Sequence, residues 1–232
     1  MNYESTVSEV RKADIMKLTI FGGTGGTGTC LVEQAVAAGH EVTAVVRDAG
    51  RLAVADRLAA ADRQRLTIVT ADVMDPAMIT PAVAGADAVL SALGPHGNGP
   101  TTISQDSVRS IIQAMQKSGV RRLLTVSGSV VTDEGEGPVM RYLAKPLVRR
   151  TALRHVCADM RRAEDEVRDS GLDWTIMRPP RLTAVAATGT YRTAVDRNLP
   201  RGYTVSRADL AACMLTLLAD EAAVRRHVGI AY

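Results

Sequence analysis

The chain has 232 residues, a formal net charge of +3, 46% apolar residues and 23% charged residues. That length suits one large α/β domain with a full core, and the residue balance is ordinary for a soluble protein. Aromatics at 3% argue against a base-stacking platform, and so small and scattered a charge argues against a nucleic-acid partner.

Residues 1–15 are mixed polar and charged, without the apolar stretch of a signal peptide. They read as a frayed tail or a short lead-in helix before a domain spanning 16–232; a further reading makes Met16 the natural start and the preceding residues an upstream extension. No apolar run reaches membrane-spanning length, so the expected location is the cytoplasm, with no membrane partner.

Lys17–Phe21 is short and apolar, as a buried parallel strand should be. Gly22-Gly23-Thr24-Gly25-Gly26-Thr27-Gly28 follows at once. A helix is then expected over Thr29–Ala38, with Leu31, Ala35 and Ala38 on one face and Gly39 at its end. Glu41–Val46 reads as the second strand. The glycine run satisfies both G-x-G-x-x-G (Gly23, Gly25, Gly28) and G-x-x-G-x-x-G (Gly22, Gly25, Gly28). Between a strand and a helix these glycines serve a tight turn, a close approach to a pyrophosphate and helix-on-strand packing. Free N–H groups at the positive end of the helix dipole then hold the phosphates. The spacing predicts a dinucleotide site.

The end of the second strand selects the dinucleotide. An NAD site commonly places an acid there for the ribose hydroxyls, roughly 20 residues after the glycines. Here Val46 is followed by Arg47, with Arg51 four residues on, and Asp48 lies one position beyond the expected slot. Guanidiniums suit a 2′-phosphate, so NADP(H) is expected. The alternative is two solvated surface arginines.

Further strands are expected at Leu66–Val69, Ala86–Ala92, Arg122–Val126, Asp173–Met177 and Val228–Ala231. Asp75 caps a helix that opens with Pro76, Thr102–Lys117 reads as a long helix, and Ser206 with Asp209 forms a box before a helix over Ala208–Leu218. The alternation predicts a doubly wound parallel sheet, a Rossmann fold, with the region after about Asp133 forming a small substrate cap. Ligands bind at the carboxyl edge of such a sheet. Gly22–Gly28, Arg47, Asp72-Val73, Leu93-Gly94, Ser127 and Pro179–Arg181 are all expected to open there.

Cys30, Cys157 and Cys213 are widely spaced, odd in number and without metal-ligand spacing, which fits a reducing compartment and no metal site. Cys30 follows the glycines, where a thiolate could be favoured; core packing is the other reading. The acidic stretch Thr132–Pro138 is either a mobile lid or a plain surface loop. The arginines between Met140 and Arg168, with Asp159 and Glu164 among them, read chiefly as solvated helix faces carrying i,i+4 pairs, or else as a basic rim.

Taken in order, GGTGGTG, VVRD, ADV, LG, VSG and RPPR resemble the atypical short-chain dehydrogenase/reductases in their NAD(P)-binding, NmrA-like branch. Within it the likeness is to the biliverdin-IX-beta reductases, which are NADPH-dependent flavin reductases. The resemblance implies that Thr24, Gly25, Thr27, Arg47, Arg51, Asp72, Val73, Leu93 and Gly94 hold NADPH, with Ser127 beside the nicotinamide and the substrate. Gly22, Gly26, Gly28 and Pro179 complete the expected cofactor surface, and Arg181 is the candidate clamp for an anionic substrate group.

There are departures. Tyr142 and Lys145 are one residue too close for the Tyr-x-x-x-Lys pair of the wider superfamily. Arg181 stands after Pro179-Pro180 where the reductase branch has a histidine, and Met160 falls near a second one. The expected activity is hydride transfer from NADPH to a flavin, quinone or similar small conjugated acceptor, by a monomer or small homo-oligomer. The alternative is a non-catalytic NADP(H) sensor that binds a protein partner.

Overall fold

The structure, a computed structural model, describes residues 15–95, 97–138, 141–142, 145–150 and 153–232. The expected N-terminal extension therefore lies outside the described residues, apart from Ile15. Among the described residues the strands are β1 Lys17–Phe21, β2 Glu41–Val46, β3 Leu66–Thr70, β4 Ala88–Ser91, β5 Arg122–Val126, β6 Asp173–Arg178, β7 Arg181–Thr183, β8 Arg192–Val195, β9 Thr204–Ser206 and β10 Arg226–Ala231. The helices are α1 Gly26–Ala37, α2 Val54–Arg57, α3 Ala60–Arg63, α4 Pro76–Val83, α5 Ile103–Ser118, α6 Lys145–Arg150, α7 Arg154–Asp169 and α8 Arg207–Thr216.

Eight strands form one sheet in the order β3-β2-β1-β4-β5-β6-β10-β8, and β7 pairs with β9 in a separate ribbon. Every neighbour in the large sheet is parallel except β8, which runs antiparallel along β10. The strand order reverses between β1 and β4. That is the switch point at which an open α/β sheet leaves a crevice for ligands.

The central strands are apolar on both faces, as a doubly covered sheet requires. Leu18, Ile20, Leu90, Leu124 and Met177 join Leu31 and Ala35 of α1 and Leu210 and Met214 of α8 in one apolar layer. Phe21, Val89, Leu123 and Ile176 join Ile79 of α4, Ile111 and Met115 of α5 and Val167 of α7 in the other. Each large side chain so buried contributes about 1.5–3 kcal/mol.

The sheet is doubly wound and mostly parallel, as expected, with the short, largely exposed β8 returning antiparallel along its edge. Two expectations need correction. The helix expected from Thr29 begins at Gly26, since tertiary packing overrides the poor helix propensity of glycine. Among the described residues the arginine-rich stretch holds α6 and the long helix α7, and two acids of α7 are buried rather than solvated: Asp159 is 0% and Glu164 5% exposed. Asp159 caps the neighbouring α5, accepting from the backbone N–H groups of Ser104 (2.9 Å) and Gln105 (3.1 Å). Among the described residues the ion pairs of α7 run i,i+3 (Arg162 to Asp159, Arg168 to Asp165), across to α5 (Glu166 to Arg109) or to β6 (Glu164 to Arg178).

Candidate functional site

The carboxyl ends of β1 to β6 share one edge of the sheet, and the loops leaving them carry the residues singled out above. Gly22 has φ +83°, a conformation that glycine alone adopts freely, and a Cβ there would sit 2.9 Å from the Ala92 carbonyl carbon. This close approach locks the turn after β1 against the end of β4. A Cβ on Gly28 would strike Gly22 C at 2.5 Å, so the helix lies directly on the turn. Gly25 differs. Its backbone is ordinary extended chain (φ −84°, ψ 162°), and a Cβ would meet Gly22 O at a comfortable 3.4 Å. Packing within the fold does not require glycine there.

Gly26, Thr27 and Gly28 are the first three residues of α1. No side chain caps that end, and its first turn holds no acid. Thr29 Oγ1 donates back to Gly23 O (3.0 Å), stiffening the cradle. Thr24 lies exposed on the turn.

At the end of β2, Arg47 and Arg51 are exposed. Asp48 is occupied: its Oδ1 accepts from Gly50 N–H (3.0 Å) and caps the short turn Ala49–Arg51. After β3, Asp72 accepts from Met74 N–H (3.0 Å), closing its own loop, while the Val73 side chain is buried in the core. Beyond β4, Leu93 packs on the core and Gly94 has open space where a side chain would stand.

Ser127 continues β5, its N–H donating to Met177 O (2.8 Å). Its Oγ is buried and has no hydrogen-bond partner among the described residues. Met160 of α7 stands close by, since a methyl built on Gly128 would lie 3.5 Å from its Sδ. Ser129 N–H donates to Pro179 O (2.8 Å), which joins the two loops that follow β5 and β6. Under them, Arg178 grips Glu164 through Nε (3.0 Å) and Nη2 (2.5 Å), a nearly buried pair. Pro179 is buried, whereas Arg181 is exposed at the start of β7, its N–H donating to Tyr203 O (3.3 Å).

The acidic loop is held rather than loose. Lys145, 4% exposed, donates to Ser129 O (2.7 Å) and Thr132 O (2.9 Å) and pairs with Glu136. Asn198 donates to Ser129 O and to Glu136 Oε1, each at 2.9 Å. Tyr142, by contrast, is 73% exposed. Sequence reading weighed Lys145 only against the Tyr-x-x-x-Lys pattern; that it shares Ser129 O and Glu136 with Asn198 is visible only in the fold. Burial, with Glu33 adding, pushes the Cys30 thiol up, and the pull of Arg207 and Arg57 does not reverse it. Packing is therefore the better account of that cysteine. Cys213 is pushed up to about 12 by burial.

Two cavities, of about 860 and 320 Å³, lie at the opposite edge, among Asp87, Arg122 and Asp173 and among Lys17, Glu41 and Thr67. Neither reaches the glycine turn. Among the described residues no group of histidine, cysteine or acidic side chains could hold a metal ion, and no helix is long and apolar enough to cross a membrane. The residues present do fit a dinucleotide. The start of α1 is uncapped and acid-free, a Cβ at Gly94 would meet nothing within 4 Å and one at Gly25 only Gly22 O, and the Ser127 hydroxyl is unpartnered among the described residues.

Comparison with known proteins agrees with this geometry. The family model for NAD(P)H-binding proteins matches residues 22–221. The UPF0659 protein YMR090W of Saccharomyces cerevisiae is 27% identical over 93% of this chain and 92% of its own length. Oxidoreductase GME11367 of Pestalotiopsis microspora is 28% identical over 87% of this chain and 79% of its own. A wide-type short-chain dehydrogenase/reductase from Veillonella parvula, solved in complex with NADP, superposes with a TM-score of 0.77 at 20% identity, over 94% of each chain. With this Rossmann fold and a family model that covers most of its length, the chain belongs to the NAD(P)H-binding family.

Proposed function

We propose that the protein is an NADPH-dependent reductase that passes hydride to a flavin, quinone or similar conjugated acceptor. The observation that carries this reading is the pairing, on one sheet edge, of the acid-free glycine cradle with the unpartnered Ser127 hydroxyl. When bound, the dinucleotide supplies the hydride; the protein binds, orients and excludes water. The N–H groups of Gly26, Thr27 and Gly28 hold the diphosphate, with Gly22, Thr24 and Gly25 shaping the turn around it. Arg47 and Arg51 meet the 2′-phosphate, a role supported by Asp48 being committed to its own turn. Asp72, Val73, Leu93 and Gly94, as the resemblance implies, line the rest of the cofactor surface together with Pro179.

Ser127 Oγ positions the nicotinamide or the acceptor by a hydrogen bond, and Arg181 offers an anion contact at the mouth, beneath the cap formed by the later segments. Among the described residues the Tyr142 and Lys145 pair does not serve Ser127: Tyr142 is exposed, and Lys145 is spent on Ser129, Thr132 and Glu136. That favours an acceptor able to take its proton from water over a simple ketone, whose alkoxide needs a placed donor. The same lack supports a second reading, a non-catalytic NADP(H) sensor. Mixing the protein with NADPH and a panel of flavins and quinones separates the two. Turnover that falls at least about tenfold in Ser127→Ala supports the reductase. Saturable binding with no turnover of any acceptor supports the sensor.

A further inference from the structure

We infer that Arg207, the first residue of α8, is a diphosphate-binding residue that reaches the glycine turn from the far side of α1. The inference rests on the dinucleotide site proposed above. Backbone packed against the turn explains Gly22 and Gly28, whereas at Gly26 the neighbour is a charged side chain. A Cβ built on Gly26 lies 2.6 Å from Arg207 Cδ and 2.8 Å from its Nε. Glycine in a helix is worth about 1 kcal/mol less than alanine, and here the vacated space holds an arginine stem.

The position of Arg207 is firmly set. Helices α1 and α8 pack side by side, with Gln34 Nε2 donating to Ala208 O (2.9 Å). Ser206 caps α8 by accepting from Asp209 N–H (2.9 Å). Asp209, fully buried, accepts in turn from the Ser206 and Tyr232 hydroxyls and from Thr188 and Gly189 N–H.

Its electrostatics point to an anion. The half-buried guanidinium has no hydrogen-bond or ion-pair partner among the described residues. It stands at the positive end of α1, where a cation is unfavourable alone. Its field reaches into the helix as far as the Cys30 thiol. A doubly charged diphosphate between the α1 N–H groups and Arg207 turns that repulsion into attraction, and guanidinium is shaped to meet phosphate oxygens. Arg47 and Arg51, beyond β2, would read the 2′-phosphate; Arg207 would read the part shared by NADPH and NADH.

The test is calorimetric titration of wild type, Arg207→Gln and Arg207→Lys with ADP-ribose, NADH, NADPH and 2′-AMP. Arg207→Gln should weaken the first three by a common factor of about ten or more and leave 2′-AMP unchanged. Arg207→Lys, which keeps a charged stem against Gly26, should recover part of that loss and controls for folding. Unchanged ADP-ribose affinity in folded Arg207→Gln overturns the role of Arg207 and leaves the dinucleotide site standing. Wild type that binds neither ADP-ribose nor NADPH overturns both.

Discussion

Arg47 and Arg51 leave β2 into solvent while the carboxylate between them turns back to cap its own loop. If they read a 2′-phosphate, replacing both with alanine removes charge-assisted bonds worth about 1.5–3 kcal/mol each. NADPH affinity should then fall at least about tenfold by titration calorimetry while NADH affinity barely moves. Equal losses would remove the 2′-phosphate assignment. Ser127 makes the opposite demand on the fold. A buried hydroxyl without a partner costs about 1–3 kcal/mol, so Ser127→Ala should melt at the wild-type temperature or a few degrees above it, even as function drops. A clear fall in melting temperature would make Ser127 an ordinary structural residue. Local chemistry made some of this legible in advance: Asp75 with Pro76, and Ser206 with Asp209, cap their helices as their spacing implies. Arg207 carried no such signal, because its significance lies in Gly26, far away in the chain and adjacent only once α1 and α8 have packed.

The helices show where sequence reading stops. Strands β1, β2 and β5 fall on their expected residues because short apolar runs between turn signals leave little choice. Helix α7 misled because its charge pattern is that of a solvated face, and only packing against α5 reveals that Asp159 points inward. That side chain satisfies two backbone N–H groups of another helix, more than fifty residues away. Asp159→Ala leaves them unpaired in a buried place, at a cost of about 2 kcal/mol. The melting temperature should fall by about 4–8 °C, with Asp159→Asn recovering part of the loss. No change would mean that the cap adds nothing to stability. Strand β8 was invisible for a different reason: four residues, three of them exposed, carry no periodic pattern to find.

At the scale of the molecule, stability should depend on pH in two steps. His40 is buried, accepts a hydrogen bond from Met16 N–H (3.2 Å) through Nδ1, and is held below its ordinary 6.5 by that burial. Burial first, and then Arg178, likewise depress His227, which stacks edge-on to Trp174 at 5.2 Å. Below pH 6.5 the unfolded chain takes up protons that the folded chain refuses, so stability is complete above that value and falls as the pH drops through the folded pKa values. Asp209 gives the second step. Burial alone would raise its pKa, but Thr188, Tyr232, Gly189 and Ser206 donate to it and hold it below 3.8, so its contribution is lost only in stronger acid. The urea midpoint should therefore decline between pH 7 and pH 5; a flat or rising midpoint would contradict this assignment of the histidines.

All of these functional readings converge on the turn between β1 and α1, and Gly25 gives direct access to it. The fold tolerates a methyl there, 3.4 Å from Gly22 O, whereas the space above the turn is where a diphosphate would lie. Titrating NADPH into folded wild type and Gly25→Ala, with melting curves for both, is the decisive measurement. Saturable binding by wild type, weakened at least about tenfold in Gly25→Ala at nearly unchanged melting temperature, is the predicted result. No saturation with wild type, or equal affinity in the two proteins, would contradict it.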